Sequence, residues 1–117
     1  MTTQTTTTVK GRIAEDLAVL HLQRIGYIVH ARNVRHGKHE IDVVASDGPV
    51  LCFVEVRARK SVDEALSSVS LRKQSHLIAC ARAYIAQQSV TAPCRFDVVT
   101  VVGARVELVK AAFEVPA

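Results

Sequence analysis

Two carboxylates occur in segments whose pattern predicts β-strands. Residues 40–45 and 51–59 each alternate between two sets of side chains, and they contain Asp42 and Glu55. Because Asp is depleted in strands, and Glu somewhat less so, these acids need an explanation. Residues 46–49 lie between the two segments and are dense in turn formers, which predicts an antiparallel hairpin.

The register of this hairpin decides whether the two carboxylates meet. If paired residue numbers sum to 97, Asp42 lies opposite Glu55 with Cβ atoms about 5 Å apart; a sum of 95 places them diagonally on one face, about 7 Å apart. A sum of 96 places them on opposite faces. Two carboxylates that close repel each other unless a proton or a cation intervenes, and Mg²⁺ or Mn²⁺ suits oxygen ligands of this kind. We therefore interpret Asp42 and Glu55 as candidate metal ligands of a phosphodiester site, with Arg57 offsetting negative charge.

A simpler interpretation uses the same acids only as ion-pair partners. Asp42 and Glu55 would then pair with Arg57, Arg59 or Arg95 on a solvated face of the sheet. Three basic groups favour the metal-and-phosphate interpretation because they bracket the acids in the sequence. The groups are Arg32, Arg35 and Lys38 in a predicted basic loop over residues 32–39, then Arg57, Arg59 and Lys60, then Arg72 and Lys73.

Composition limits the class of protein. The chain has 117 residues, 49% apolar and 22% charged, which is the size of one compact domain. Its net charge of +4 favours an anionic partner, and nucleic acid is the first candidate. No apolar run is long enough to cross a membrane, so we expect no membrane partner. We expect residues 1–9 to form a disordered Thr-rich tail without the features of a signal peptide, and residues 10–117 to form the single domain.

The cysteines predict a reducing compartment. Cys52, Cys80 and Cys94 are odd in number, lack zinc-ligand spacing and lie in apolar segments. We expect them to be free thiols packed in the core of a cytoplasmic protein.

The elements that must position the acids follow from periodicity and turn signals. Residues 12–25 predict a helix ended by Gly26, with Glu15 at the edge of its apolar side. After a predicted loop rich in Ser and small residues, Ser70 is a suitable N-cap for a second long helix. Further strands are predicted at residues 27–31, 96–102 and 105–110, which gives the order α-β-β-β-α-β-β.

Four sequence blocks together resemble the YraN family of small endonuclease-like proteins. The blocks are GRIAE from Gly11, HEIDVVA from His39, FVEVRAR from Phe53 and RFDVV from Arg95. That family is similar to Holliday-junction resolvases and belongs to the restriction-endonuclease-like superfamily with its PD-(D/E)xK signature. The resemblance implies an α/β fold with a restriction-endonuclease-like core, a mixed β-sheet flanked by helices.

The same resemblance implies roles for particular residues. It assigns the metal-binding acids to Asp42 and Glu55 and a supporting acid to Glu15, and it matches Lys73 and Gln74 to a basic–amide pair of the family. Glu40 and Asp97 match as well, Glu40 either as an ion-pair partner or as a ligand and Asp97 either as a structural acid or as a ligand. Resolvase-like proteins often pair two sites, which leaves a homodimer open.

Two positions depart from the family pattern. Arg57 stands where the signature has Lys, and His39 stands where the family usually has Gly. Because Arg stays protonated, Arg57 contacts phosphate but does not act as a base. The base role then passes to water activated by the metal, or to Lys60 or Lys73.

Three functions follow as hypotheses. The first is a Mg²⁺- or Mn²⁺-dependent endonuclease that acts on DNA, in branched or structured form, with Arg32, Arg35, Lys38, Arg59, Lys60, Lys73 and Gln74 contacting nucleic acid. The second is a non-catalytic nucleic-acid-binding module on the same fold. The third is a protein-interaction domain whose acids only form ion pairs.

Overall fold

The computed structural model describes residues 2–115, and it describes side chains from residue 11 onward. The described part contains the following helices and strands in chain order: α1 (Thr2–Arg24), β1 (Ile28–His36), β2 (His39–Asp47), β3 (Val50–Ala58), α2 (Val62–Ser67), α3 (Leu71–Gln88), β4 (Cys94–Val102) and β5 (Arg105–Phe113). Helix α1 includes most of the segment predicted to be a disordered tail. Because the side chains of residues 1–10 lie outside the described ones, the predicted tail stays a prediction.

The five strands form one mixed sheet in the order β1-β2-β3-β4-β5. Strands β1, β2 and β3 pair antiparallel, β3 and β4 pair parallel, and β5 returns antiparallel to β4. The parallel pair needs a crossover connection, which α2 and α3 provide. The predicted α/β fold, a mixed sheet flanked by helices, is therefore confirmed.

Helices cover both faces of the sheet and build two apolar clusters. On one face, α1 buries Ala14, Ala18 and Leu22 against the sheet at a spacing of four. On the other face, α3 packs Leu77 and Ile78 over the sheet. The two long helices thus pack on opposite faces of the same sheet.

Three local predictions are wrong. The predicted basic loop over residues 32–39 is mostly strand, because β1 continues to His36 and only Gly37 and Lys38 form the turn. An edge strand tolerates this run of exposed polar residues, which hides the alternation. The predicted loop before Ser70 contains the short helix α2, capped by Ser61. Cys52 and Cys80 are free and buried as predicted, but Cys94 is exposed because it begins β4 outside the core.

Asp97 is a structural acid. Its side chain is fully buried in β4, where it accepts hydrogen bonds from Arg95, from the Tyr27 hydroxyl and from the backbone N–H of Ala111. Asp97 therefore ties β4 both to the segment after α1 and to a bulge in β5.

No helix in the described part is both long enough and apolar enough to span a membrane.

Candidate metal centre

The register of β2 and β3 is the one that brings Asp42 to Glu55. Every pair from Val43↔Val54 to Asp47↔Val50 has residue numbers that sum to 97. The ladder stops just before Asp42, where the backbone N–H of Val56 donates to Oδ2 of Asp42 at 2.8 Å. A side-chain carboxylate thus takes the place of a backbone acceptor, which fixes Asp42 against β3 beside Glu55.

The alternation of side chains breaks twice in β1, first between Val29 and Ala31 and again before Val34, and once in β2. Ala31 and Val34 both pack against the cluster on the α3 side although they are three residues apart, and Ile41 and Val44 of that cluster do the same in β2. Asn33 lies within the second break in β1 and has a left-handed backbone with φ of 51°. The neighbouring pairs Arg32↔Val43 and Val34↔Ile41 place Asn33 opposite Asp42. The sheet is therefore irregular exactly where the site acids lie.

A second group of acids adjoins Asp42 on the α1 side. Carboxylate oxygens of Glu15, Glu40 and Asp42 lie within 4.8 Å of one another. Asn33 bridges two of them, because its Nδ2 lies 3.1 Å from Oε1 of Glu15 and 2.9 Å from Oε2 of Glu40. Glu40 also forms an ion pair with Arg35 at 3.3 Å.

Burial and charge repulsion act on the site acids. Desolvation raises the pKa of Asp42 to about 8, helped by the negative charge of Glu55 and opposed by the hydrogen bond from Val56. Desolvation, followed by the charge of Asp42, also raises the pKa of Glu15, and the hydrogen bond from Asn33 opposes this shift. Burial and mutual repulsion therefore favour the protonated, neutral form of these acids over the charged form.

Glu55 is buried beside two cations. Its side chain is 6% exposed, and its Oε2 lies 2.9 Å from Nη2 of Arg57 and 3.7 Å from Nζ of Lys73. Among the described residues, neither its buried Oε1 nor the buried Nε of Arg57 has a hydrogen-bond partner. Glu55 therefore forms ion pairs, as the simpler interpretation expects, but it does so in a buried position and not on a solvated face. Asp42, in contrast, has no basic side chain within 4.0 Å among the described residues.

An open cleft of about 990 Å³ exposes these groups. Of the predicted site residues, those that line it are Glu15, Asp42, Glu55, Arg57, Arg59, Lys60 and Lys73. Four predicted nucleic-acid contacts lie outside it. Arg32 pairs with Asp16 at 2.8 Å, Arg35 pairs with Glu40, Lys38 lies in the β1–β2 turn, and the amide of Gln74 donates to the carbonyl of Val69.

Sequence reasoning missed Asn33 as a positioning residue. The signal was weak: a single Asn in a polar stretch, with no partner visible in the sequence. Its two properties, a left-handed backbone and an amide that donates to two acids, suit Asn better than most residues.

These properties of Asn33 can be separated by two substitutions. Asn33→Ala is expected to be about 1–2 kcal/mol less stable than Asn33→Gly in urea unfolding, because Gly adopts a positive φ without steric cost. Both variants lose the amide bridge and are expected to bind Mn²⁺ more weakly than the wild type in calorimetry. Equal stability of the two variants would show that the left-handed backbone carries no strain.

Comparison with known proteins gives a consistent family. A model of the uncharacterised protein family UPF0102 matches residues 14–101, which include Glu15, Asp42, Glu55 and Lys73. A UPF0102 protein of Shewanella amazonensis is 41% identical over 105 residues, covering 88% of this chain and 97% of the relative.

Two further relatives agree. A UPF0102 protein of Chlorobium chlorochromatii is 44% identical over 78% of this chain and 72% of the relative. One of Pseudomonas aeruginosa is 44% identical over 79% of this chain and 77% of the relative. None of these three names describes an activity.

Proposed function

The chain belongs to the uncharacterised protein family UPF0102, and we propose that it is a metal-dependent endonuclease that hydrolyses phosphodiester bonds in DNA. One observation carries this proposal. Asp42 and Glu55 approach each other at the end of a strand pairing, next to an open cleft, and Glu55 keeps one buried oxygen without a partner. An unpaired buried acceptor is costly, so the pair is expected to be satisfied by a proton on Asp42 in the metal-free protein and by a cation when metal is bound.

The donor set suits a hard divalent cation. The ligands would be carboxylate oxygens of Asp42 and Glu55, and Glu15 supports the site from α1. Mg²⁺ and Mn²⁺ accept such oxygens and commonly retain water and substrate phosphate in their remaining positions. The orphaned Oε1 of Glu55 supports this fit, because coordination would satisfy it without breaking the contact of Oε2 with Arg57.

The side chains around the acids suit the chemistry of a phosphodiester. When bound, the cation supplies polarisation of the scissile phosphate and activation of water. Arg57, held by Glu55 on the same strand, orients its guanidinium toward phosphate oxygens and stabilises the negative charge that develops on them. Lys73 contributes a second positive charge from the first turn of α3. Arg57 does not take up a proton from water, so the nucleophile depends on the cation rather than on a basic signature residue.

The substrate class follows from the walls of the cleft. Arg59 and Lys60 also line the cleft, and together with Arg57 and Lys73 they give the acids a basic surround. This arrangement suits a polyanion whose phosphates approach a cation. The similarity to Holliday-junction resolvases favours DNA, in branched or structured form, and leaves a homodimer open. The free, buried Cys52 and Cys80 support a cytoplasmic location.

A cleavage assay tests the proposal. Purified protein with Mg²⁺ or Mn²⁺ is expected to cleave one or more of a set of labelled DNA substrates that includes duplexes, flaps and four-way junctions. Asp42→Ala, purified in parallel, is expected to lose this activity. Equal cleavage by both proteins would point to a contaminating nuclease and overturn the proposal.

A non-catalytic nucleic-acid-binding module is the second candidate. The observation that favours it is the ion pair between Arg57 and Glu55, because Arg57 replaces the signature Lys and already neutralises one site acid. Such a module retains DNA at low salt but shows no Mn²⁺ binding that depends on Glu55. Calorimetric titration of the wild type and Glu55→Ala with Mn²⁺ separates the two candidates.

A further inference from the structure

Two imidazole rings stack beside the cleft. His39 begins β2 and His76 lies on α3, and their ring centroids are 3.7 Å apart with planes inclined by 13°. His36 faces His39 across the β1–β2 pairing. Both stacked side chains are only half-buried, so solvent and a ligand can reach them.

The stacked pair lies among cations. Desolvation lowers the pKa of His39, and the positive charges of His76, Lys73, Lys38 and Arg72 lower it further. Among the described residues, neither ring has a carboxylate within 4.0 Å, and the same is true of Lys38 and Arg72. The nearest acid in sequence, Glu40, is already engaged by Asn33 and Arg35. Lys73 lies 3.7 Å from Glu55, but the positive charge of the rest of this cluster is not offset within the described part of the protein.

Two cations of this cluster lie where they destabilise helix α3. Arg72 and Lys73 occupy the beginning of α3, whose first turn contains no acid. Cations there oppose the helix dipole, so natural helices favour Asp or Glu at such positions. An external anion that binds to these side chains would reverse this penalty.

We propose that His39, His76, Lys38, Arg72 and Lys73 bind a backbone phosphate of the DNA strand next to the scissile position. The proposal rests on the nucleic-acid function proposed above. Lys73 connects the two places, because it lines the cleft and lies 3.7 Å from Glu55. The DNA strand therefore leaves the acids along the N-terminal part of α3 toward the β1–β2 turn.

The ring stack makes this phosphate contact depend on pH. Two protonated imidazoles repel each other when stacked, and the cations around His39 lower its pKa. A phosphate that accepts hydrogen bonds from both rings offsets this repulsion, and its binding is therefore coupled to proton uptake. DNA is bound more tightly as the pH falls, and more counterions are released.

Fluorescence anisotropy with a labelled duplex in EDTA tests the proposal, because cleavage is then silent. The wild type is expected to bind about tenfold more tightly at pH 6 than at pH 8, and the slope of log K against log salt is expected to steepen by about 1 at pH 6. The double variant His39→Asn/His76→Asn is expected to lose both effects. Arg82→Gln is the matched control, since it removes one charge from α3 at a groove away from the cleft and should keep the wild-type pH dependence.

The outcomes separate this proposal from the nuclease proposal. If the double variant keeps the wild-type pH dependence, the phosphate site is wrong even where cleavage is observed. If the pH-dependent binding is found but no DNA is cleaved, the phosphate site stands and the endonuclease is wrong. A chain that binds no DNA at either pH overturns both.

Discussion

Asp42→Asn is expected to raise the melting temperature of the metal-free protein at pH 9 while it abolishes cleavage. The amide oxygen of Asn can still accept the hydrogen bond from Val56, which is 2.8 Å long in the wild type. The substitution removes the buried negative charge that faces Glu55. The gain is expected to be about 2 kcal/mol or more, which is roughly 10 °C for a domain of this size. Cleavage is expected to fall by about 10³-fold or more, because a lost ligand removes the cation.

The stability gain has a defined pH dependence. The pKa of Asp42 is raised from 3.8 to about 8, so the folded state holds a proton that the unfolded state has released between these values. The wild type is therefore stable at low pH and loses stability as the pH rises toward 8. Asn stays neutral throughout, so the difference between variant and wild type grows from about pH 4 to pH 8 and then levels off. Thermal unfolding in EDTA across this range measures it.

Glu55→Gln is the matched comparison, with the opposite sign. It removes the counter-charge of Arg57 and Lys73, of which Arg57 is only 17% exposed, and leaves these cations close together. We expect it to lower stability by about 1–3 kcal/mol and to abolish Mn²⁺ binding. If Glu55→Gln stabilised the protein as Asp42→Asn does, then Arg57 and Lys73 would not offset the charge of Glu55, and the assignment of Glu55 as the ion-paired acid would be wrong.

Asp97→Asn is expected to cause the largest loss of stability of any single change discussed. Asp97 is fully buried, and its two oxygens lie 2.8 Å and 3.0 Å from Nε and Nη2 of Arg95. It also accepts from the backbone N–H of Ala111, which has a left-handed φ of 51° in β5. Asn carries no charge and turns an NH₂ group toward these donors, so we expect a loss of about 3–5 kcal/mol in urea unfolding.

We expect Asp97→Asn to lower the stability of the fold without changing the metal site. At a temperature where the variant is folded, its Mn²⁺ affinity is expected to equal that of the wild type. Arg95 retains Asp47 at 3.0 Å, which keeps the guanidinium from being left wholly unpaired. Loss of Mn²⁺ binding by a folded Asp97→Asn protein would instead make Asp97 a ligand.

Much of the site was accessible from sequence because its acids break a strong pattern. Asp42 and Glu55 stand out in otherwise apolar strands, and the turn between them is short enough to limit the registers. The register with sums of 97 results from a two-residue turn at Gly48 and Pro49, which closes the hairpin at Asp47 and Val50. Gly48 has a φ of 57°, which a glycine adopts easily.

The remaining features depend on contacts distant in sequence. Strand β1 has an exposed, polar pattern because it is an edge strand, so its second half cannot be told from a loop by alternation. The left-handed Asn33 and its two acid partners depend on how α1 and β2 approach β1. His39 lies on β2 and His76 lies on α3, so the two stacked rings are far apart in the sequence. Tertiary packing, not local preference, determines these positions.

The location of a bound divalent ion tests the central claim most directly. A crystal soaked in Mn²⁺ and measured at an X-ray wavelength where manganese scatters anomalously would show the ion as a single peak. We predict that peak about 2.1 Å from carboxylate oxygens of both Asp42 and Glu55, including Oε1 of Glu55. An empty site at saturating Mn²⁺, or a peak held by Glu15 and Glu40 without Glu55, would contradict it.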